Sequence, residues 1–357
     1  MRFHLVSLPH TSTTRDYEWC AFSMKVRKFA DMMTARGHDV FLYAGPDNEA
    51  ACTEHIVCAN ELPPNGEIPT FGPAEPSFVA FNDRAITAVR GRIQPRDFVC
   101  LIGGAAQQPV AEAFPGHQVV EFGIGYGGVI PTTHWVFESY AWMHAVYGAQ
   151  TGGDSHRADG RFFDAVIPNY FDAADFPAGR GDGGYLLFVG RLIERKGVRV
   201  ALDLARRVGM PLKVAGAGDF ELPDWVDYRG VVGPQERAEL MGGARALVAP
   251  TLYVEPFGGV VVEAQLCGTP ALTTDWGAFT ETVTDGASGF RCRTLAEFGE
   301  AAMMAGTLDR AAIRKAALAR WSLEAVGPMY ERHFTRLMSL WGDGFYASAP
   351  TSGTPDP

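Results

Sequence analysis

The sequence has no run of eighteen apolar residues, which argues against a helix crossing a bilayer. Its six cysteines, Cys20, Cys52, Cys58, Cys100, Cys267 and Cys292, are scattered, with no C-x-x-C pair and none of the density of a disulfide-stapled secreted domain. They read as the reduced thiols of a cytoplasmic protein. Histidines and carboxylates form no cluster with ligand spacing, so no metal and no cofactor is expected. The loop after the first strand lacks G-x-G-x-x-G, which argues against a nicotinamide dehydrogenase. A basic excess is also missing: the formal net charge is −10 and both halves are acidic. Bulk affinity for nucleic acid is therefore not expected, although a local basic cleft can still hold a phosphate. The apolar stretch at the N-terminus is too short for a signal peptide and reads as a strand.

What remains is globular: 357 residues, 47% apolar and 20% charged, too many for one core and suited to two α/β domains. Residues 3–8 form a strand pattern and 19–35 a helical one, with Phe22, Val26, Phe29, Ala30 and Met33 on one face. Gly37 stops that helix and 38–43 begin the next strand, the opening of a doubly wound sheet. Further strands are expected at 98–102, 118–122 and 165–167. The glycine-rich segment 177–184 has the composition of a linker. Beyond it, 185–190 is the continuous apolar run of a buried parallel strand. Helix and strand patterns then alternate at 198–208, 212–215, 235–242, 246–249, 259–267 and 271–273. The expected division is an N-terminal domain over 1–176, the linker, a C-terminal domain over 185–321, a helix over 322–341 packing back on the N-terminal domain, and a disordered tail, 342–357.

Three segments carry chemistry. In Glu255-Pro256-Phe257-Gly258-Gly259-Val260-Val261-Val262-Glu263-Ala264, two carboxylates flank a loop-to-helix junction. The glycines allow backbone N–H groups to approach a ligand, and the helix start favours an anion. The same residues read otherwise as a capping Glu255 and a solvated Glu263. In Gly190-Arg191-Leu192-Ile193-Glu194-Arg195-Lys196-Gly197, Arg191 follows a strand and so stands at the carboxyl edge of a sheet, where ligands of open α/β folds bind. With Lys196 it could neutralise a departing diphosphate; the alternative is a basic surface turn. The loop Gly216-Ala217-Gly218 serves close ligand approach or a tight turn equally well.

In order and spacing these segments, with Thr269-Pro270, Gly277-Ala278, Glu281 and Asp285-Gly286-Ala287-Ser288-Gly289-Phe290, resemble glycosyltransferase family 4. The resemblance is dense over residues 185–292. It implies a GT-B fold, two Rossmann-like doubly wound domains facing across a cleft, and a retaining, metal-independent hexosyltransferase using an NDP-sugar, UDP- or GDP-linked. It implies that Arg191 and Lys196 bind and stabilise the diphosphate, and that Glu255 meets the sugar hydroxyls. Phe257, Gly258, Gly259 and Val260 would hold sugar and phosphate, and Glu263 the ribose. Gly190, Gly216 and Gly218 would line the donor pocket, and the backbone at Val232 would meet the base. Arg36-Gly37-His38-Asp39-Val40 matches a helix-to-strand junction of the family, with His38 structural.

The first half departs from the family, carrying Pro9–Arg15 in place of paired glycines. Thr11, Thr13 and Thr14 there, with Gly125, Tyr126 and His134, are the candidate cleft residues, and His144 is a second histidine that could approach the transferred sugar. A lone histidine at either position is more often a packed or surface residue. The acceptor is open, with a saccharide, glycan or lipid-linked molecule the default. The rival functions are a GT-B sugar-nucleotide epimerase or hydrolase and a non-catalytic nucleotide-sugar binding protein. The expected state is a cytoplasmic monomer or homodimer, at most peripheral to a membrane.

Overall fold

A computed structural model describes residues 1–340 apart from 67 and 69. The helix expected over 322–341 therefore ends outside the described residues, as does the tail expected at 342–357. The chain divides into two compact units. The first takes Met1–Phe137, Arg157–Ile167 and the described residues from Val326 on; the second takes Glu138–His156 and Pro168–Ala325.

In the first unit, strands β1 (Arg2–Val6), β2 (Asp39–Ala44), β3 (Glu54–Val57), β4 (Phe98–Leu101), β5 (Gln118–Ile124), β6 (His134–Phe137) and β7 (Ala165–Val166) pair in the order β3-β2-β1-β4-β5-β6-β7. Every pairing is parallel. Helices α1 (Ala21–Ala35), α2 (Pro76–Arg90) and α3 (Gln108–Glu112) belong to this unit. Helix α2 starts where its chemistry directs: the Glu75 carboxylate accepts from Ser77 N–H, and Pro76 needs no N–H at the first helical position.

The second unit begins with α4 (Tyr140–Gln150). It then builds β8 (Leu186–Val189), α5 (Val198–Val208), β9 (Leu212–Ala215), β10 (Asp227–Tyr228), α6 (Pro234–Gly243), β11 (Ala246–Ala249), α7 (Gly259–Leu266), β12 (Ala271–Thr274), α8 (Phe279–Thr282), β13 (Gly289–Cys292), α9 (Leu295–Met304) and α10 (Arg310–Trp321). Its parallel sheet runs β10-β9-β8-β11-β12-β13. The strand order reverses between β8 and β11, which opens a crevice at their carboxyl ends. Apolar residues fill both faces of this sheet, Leu187, Leu247 and Val261 in one core cluster and Leu186, Phe188 and Val214 in another.

Two expected boundaries are corrected. Residues 177–184 are not a free connection: the N–H groups of Gly179, Gly181 and Gly183 donate to the carbonyls of Cys267, Gly242 and Gly243 at 2.9, 2.9 and 3.0 Å. Glycine there permits close backbone packing rather than swing. The expected helix over 322–341 is preceded by Ser322, with extended backbone, and runs as α11 (Leu323–Met338). From Val326 on it packs in the first unit. Phe334 lies 4.7 Å from Phe3 and 4.8 Å from Phe98, and Tyr330 lies 5.2 Å from Phe29. Burying each such ring contributes about 1.5–3 kcal/mol. His38 Nε2 donates to Glu331 Oε1, 2.9 Å away, which fits a structural role. All six cysteines are free thiols. Among the described residues no helix is long and apolar enough to cross a membrane.

Candidate active site

The crevice between β8 and β11 gathers most of the residues singled out by sequence. Val189 ends β8, and Arg191 follows in an exposed turn with no ion-pair or hydrogen-bond partner for its guanidinium among the described residues. The chain turns through Glu194–Lys196 into α5, and Leu252 N–H after β11 donates to the Arg195 carbonyl at 2.9 Å. That bond ties the two loops bordering the crevice. It brings Lys196 Nζ to 2.8 Å from Glu255 Oε2. Burial alone would lower the Lys196 pKa, but the Glu255 carboxylate outweighs it and the net shift is upward, so the ammonium stays charged. Tyr253 lies against the same pair, with Lys196 Nζ 5.0 Å from its ring centroid.

After Glu255 the chain enters α7 through Phe257, which is buried and stacks 6.3 Å from Phe171. Gly258 has φ +77°, and a Cβ there would lie 2.6 Å from the Phe279 ring, so only glycine lets the chain turn into the helix. The amides of the first turn of α7 are thus aimed at the crevice with their dipole, the arrangement that suits an anion. Ser139 Oγ donates to the Pro256 carbonyl at 2.6 Å and fixes this loop from α4. One turn into α7, Glu263 pairs with Arg237 of α6 at 3.2 Å.

On the other flank, Gly216 follows β9 with φ +140°, and a Cβ there would meet the Gly190 carbonyl oxygen at 1.9 Å. The loops carrying Gly190, Gly216 and Gly218 are therefore in direct contact, and a Cβ on Gly218 would lie 2.6 Å from the Leu192 carbonyl oxygen. Val232 is half-buried against the core, beside exposed Val231. The Tyr228 hydroxyl donates to the Gly216 carbonyl at 2.9 Å, which leaves its ring exposed at the rim.

In sequence Lys196 and Glu255 stand as separate groups, whereas the structure makes them one ion pair. Arg237, Tyr253 and Tyr228 join the crevice without a sequence signal. No motif marks them: Arg237 sits mid-helix among other charges, and Tyr253 and Tyr228 lie outside the glycine segments.

In the first unit the candidates scatter. Thr11 Oγ1 is bonded to Ser23 Oγ, Thr13 Oγ1 donates to Asn48 Oδ1 at 2.6 Å, and Thr14 is buried without a side-chain bond at the turn it precedes. The switch point between β1 and β4 is stapled. Gln107 Oε1 accepts from Ile102 and Gly103 N–H at 2.9 and 2.7 Å, and its amide donates to the Val6 and Ser7 carbonyls at 3.3 and 2.7 Å. These hydroxyls and this amide serve packing rather than an open phosphate loop.

Gly125 and Tyr126 follow β5 at the carboxyl edge. The Tyr126 hydroxyl donates to Glu121 Oε1 at 2.9 Å, and Ile130 N–H donates to Oε2 at 2.9 Å. Burial pushes Glu121 up to about 7. His134 is placed away from that edge. It opens β6 opposite Val120, is bonded to Gln118 and stands 6.0 Å from Phe163, and burial lowers its pKa to about 4. His144 is exposed on α4, its ring 6.3 Å from Tyr140.

Residues 183–311 match the model of the family described as Glycosyl transferases group 1. A glycogen synthase of Mycobacterium tuberculosis is 36% identical over 182 residues, 44% of this chain and 43% of that enzyme. The chain thus spans under half the length of that relative. A phosphatidyl-myo-inositol mannosyltransferase of Mycobacterium leprae is 27% identical over 321 residues, 79% of this chain and 81% of its own. Among solved structures, AviGT4, a glycosyltransferase involved in avilamycin A biosynthesis, superposes with a TM-score of 0.67 at 20% identity, covering 94% of this chain and 98% of that one. Anabaena Alr3699/HepE in complex with UDP and glucose gives a TM-score of 0.62 at 15% identity, covering 94% and 100%.

Proposed function

We propose that the chain, which has the GT-B fold, is a member of the glycosyl transferases group 1 and transfers a hexosyl group from a nucleoside diphosphate sugar to a hydroxyl acceptor, with retention of configuration and without a metal ion. The observation that carries this reading is the crevice of the second unit, where unpaired Arg191, the Lys196–Glu255 pair and the first turn of α7 converge. A diphosphate leaving group needs cationic and N–H donors at its developing charge, and these elements supply them. HepE, of the same fold, holds UDP and glucose, which supports a nucleotide-sugar donor here.

In the reaction the bond from the anomeric carbon to the diphosphate oxygen breaks, and its electron pair leaves with the phosphate. The acceptor oxygen bonds to the same face of that carbon, and its proton passes to the departing phosphate oxygen. Arg191 and Lys196 stabilise the departing charge. Glu255, held by Lys196, accepts from the sugar hydroxyls, and Glu263, held by Arg237, accepts from the ribose. Because the leaving group itself takes the acceptor proton, no separate general base is needed.

Among UDP, GDP and ADP, one nucleotide should raise the melting temperature by a few degrees near a hundredfold excess over Kd, and EDTA should leave the shift unchanged. Absence of any shift would remove the nucleotide site; a shift abolished by EDTA would remove the metal-free mechanism. Glu263→Ala is expected to weaken binding of that nucleotide by about tenfold, since it removes an acceptor and leaves Arg237 unpaired. Glu255→Gln should leave nucleotide affinity within about threefold, because its partner is the sugar. Equal losses of affinity in the two variants would contradict this division.

A further inference from the structure

Outside the crevice, the second unit holds a cavity of about 560 Å³ that the transfer reaction does not use. Its lining includes Arg180, Arg310, Arg314 and Lys315, with Ala178 and Leu318 on its apolar part, and no carboxylate. Two of the cations are built in. Arg310 donates to the carbonyls of Gly179, Ala244 and Gly242 at 3.4, 3.1 and 3.0 Å and to Thr269 Oγ1. Arg314 donates to the carbonyls of Phe176 and Leu266. Carbonyl oxygens satisfy these N–H groups but carry no net charge, so both guanidiniums keep theirs. Burial lowers the Arg310 pKa, and the groups that oppose this shift, Cys267, Asp182 and Tyr185, stand outside the lining.

Arg180 and Lys315 differ: neither side chain has a hydrogen-bond or ion-pair partner among the described residues. A staple for the 177–184 segment explains Arg310 and Arg314. It does not explain two further unpaired cations gathered at the same cavity, where like charges repel. An anion relieves that repulsion, and Arg180 and Lys315 have donors free for it. The apolar walls and the volume, which is in the range of small-molecule sites, call for a body attached to the charge.

We propose that this cavity binds a small organic anion, a phosphate or carboxylate carried on an apolar skeleton. The anionic group lies between Arg180 and Lys315, and the skeleton lies along Ala178 and Leu318. The site borders the C-terminal ends of α6 and α7, at Gly242 and Gly268, whereas Arg237–Glu263 and the first turn of α7 face the donor crevice. Since α7 spans eight residues, the two sites lie roughly one helix length, ~12 Å, apart.

The test is calorimetric titration of the full chain with decyl phosphate, against decanol and decyltrimethylammonium as chain-matched neutral and cationic controls, and against inorganic phosphate. Decyl phosphate is expected to bind at least about tenfold more tightly than each control, and saturating UDP or GDP should not displace it. The double variant Arg180→Ala, Lys315→Ala should lose about tenfold or more in decyl phosphate affinity while its melting temperature and nucleotide binding stay unchanged, because it removes two exposed charge-assisted contacts. Unchanged affinity in that variant, displacement by nucleotide, equal binding of decanol or inorganic phosphate, or no heat up to about 1 mM ligand would each overturn the proposal.

Discussion

Lys196→Ala is expected to lower turnover by about 100- to 1,000-fold, the size of the loss when one preorganised donor to a developing anion is removed. Two effects add. The departing diphosphate loses a cation, and Glu255, only 8% exposed, is left as a negative charge beside it without its 2.8 Å partner. The second effect can be separated from the first. If the pair acts as a unit, Glu255→Gln in the Lys196→Ala background should cost far less than Glu255→Gln alone, and the double variant should be no worse than the single lysine variant. The assay is the initial rate with saturating donor, using the sugar conjugate of the nucleotide that stabilises the protein. Melting temperature of each variant controls for folding. A Lys196→Ala enzyme within about threefold of the parent would show that the pair only braces the loops that follow β8 and β11.

The second large effect is acid lability of the first unit. Burial lowers the pKa of His10, His134 and His333 to about 4 each. Between pH 4 and 6.5 the unfolded chain binds protons at these three sites and the folded chain does not, so stability rises with pH across that window and is lost as pH falls through it. Glu121 acts oppositely. Its folded pKa of about 7 lies above the ordinary carboxylate value, so between pH 4.5 and 7 the folded state holds a proton that the unfolded state releases, and stability falls as pH rises. Three histidines against one glutamate leave a net of somewhat under two protons over pH 4.5–5.5, falling to about one near pH 6.5, or ~1–2.5 kcal/mol per pH unit. Urea midpoints measured from pH 4.5 to 7.5 should therefore climb steeply up to pH 6.5 and then flatten or decline. His333→Leu, which discharges one of the sites and also spares the unpartnered Nε2, should reduce the slope by about 1.4 kcal/mol per pH unit. A pH-independent midpoint would refute the account.

The two units were not equally legible in the sequence. The second could be read because its chemistry sits in turns that demand particular residues. Gly216 and Gly258 have backbone angles and neighbours that admit no side chain, so such a site leaves a pattern of glycines at fixed spacing. What the sequence could not show is how side chains meet once the turns are made. Lys196 and Glu255 are far apart in sequence, and they meet where the Leu252–Arg195 backbone bond joins their two loops. Helix α2 and strand β3 went unmarked for a different reason. Residues Glu54–Val57 form a half-exposed edge strand without clear alternation, and α2 has a modest apolar face, Phe78, Phe81, Ala85 and Val89, behind a proline-rich approach. In the loop after β1, threonines suited to phosphate binding proved to be hydrogen-bonded inward. Composition cannot distinguish a hydroxyl offered to a ligand from one already engaged with Ser23 or Asn48.

Every group gathered at the crevice between β8 and β11 comes from residues 190–263, with one brace from Ser139. Such a stretch can be inherited, copied or recombined as a single cassette, with its ion pairs and glycine turns travelling together. If this stretch binds the donor as proposed, lineages that exchange it would share donor chemistry while diverging elsewhere, and kinship measured over it would say little about the acceptor.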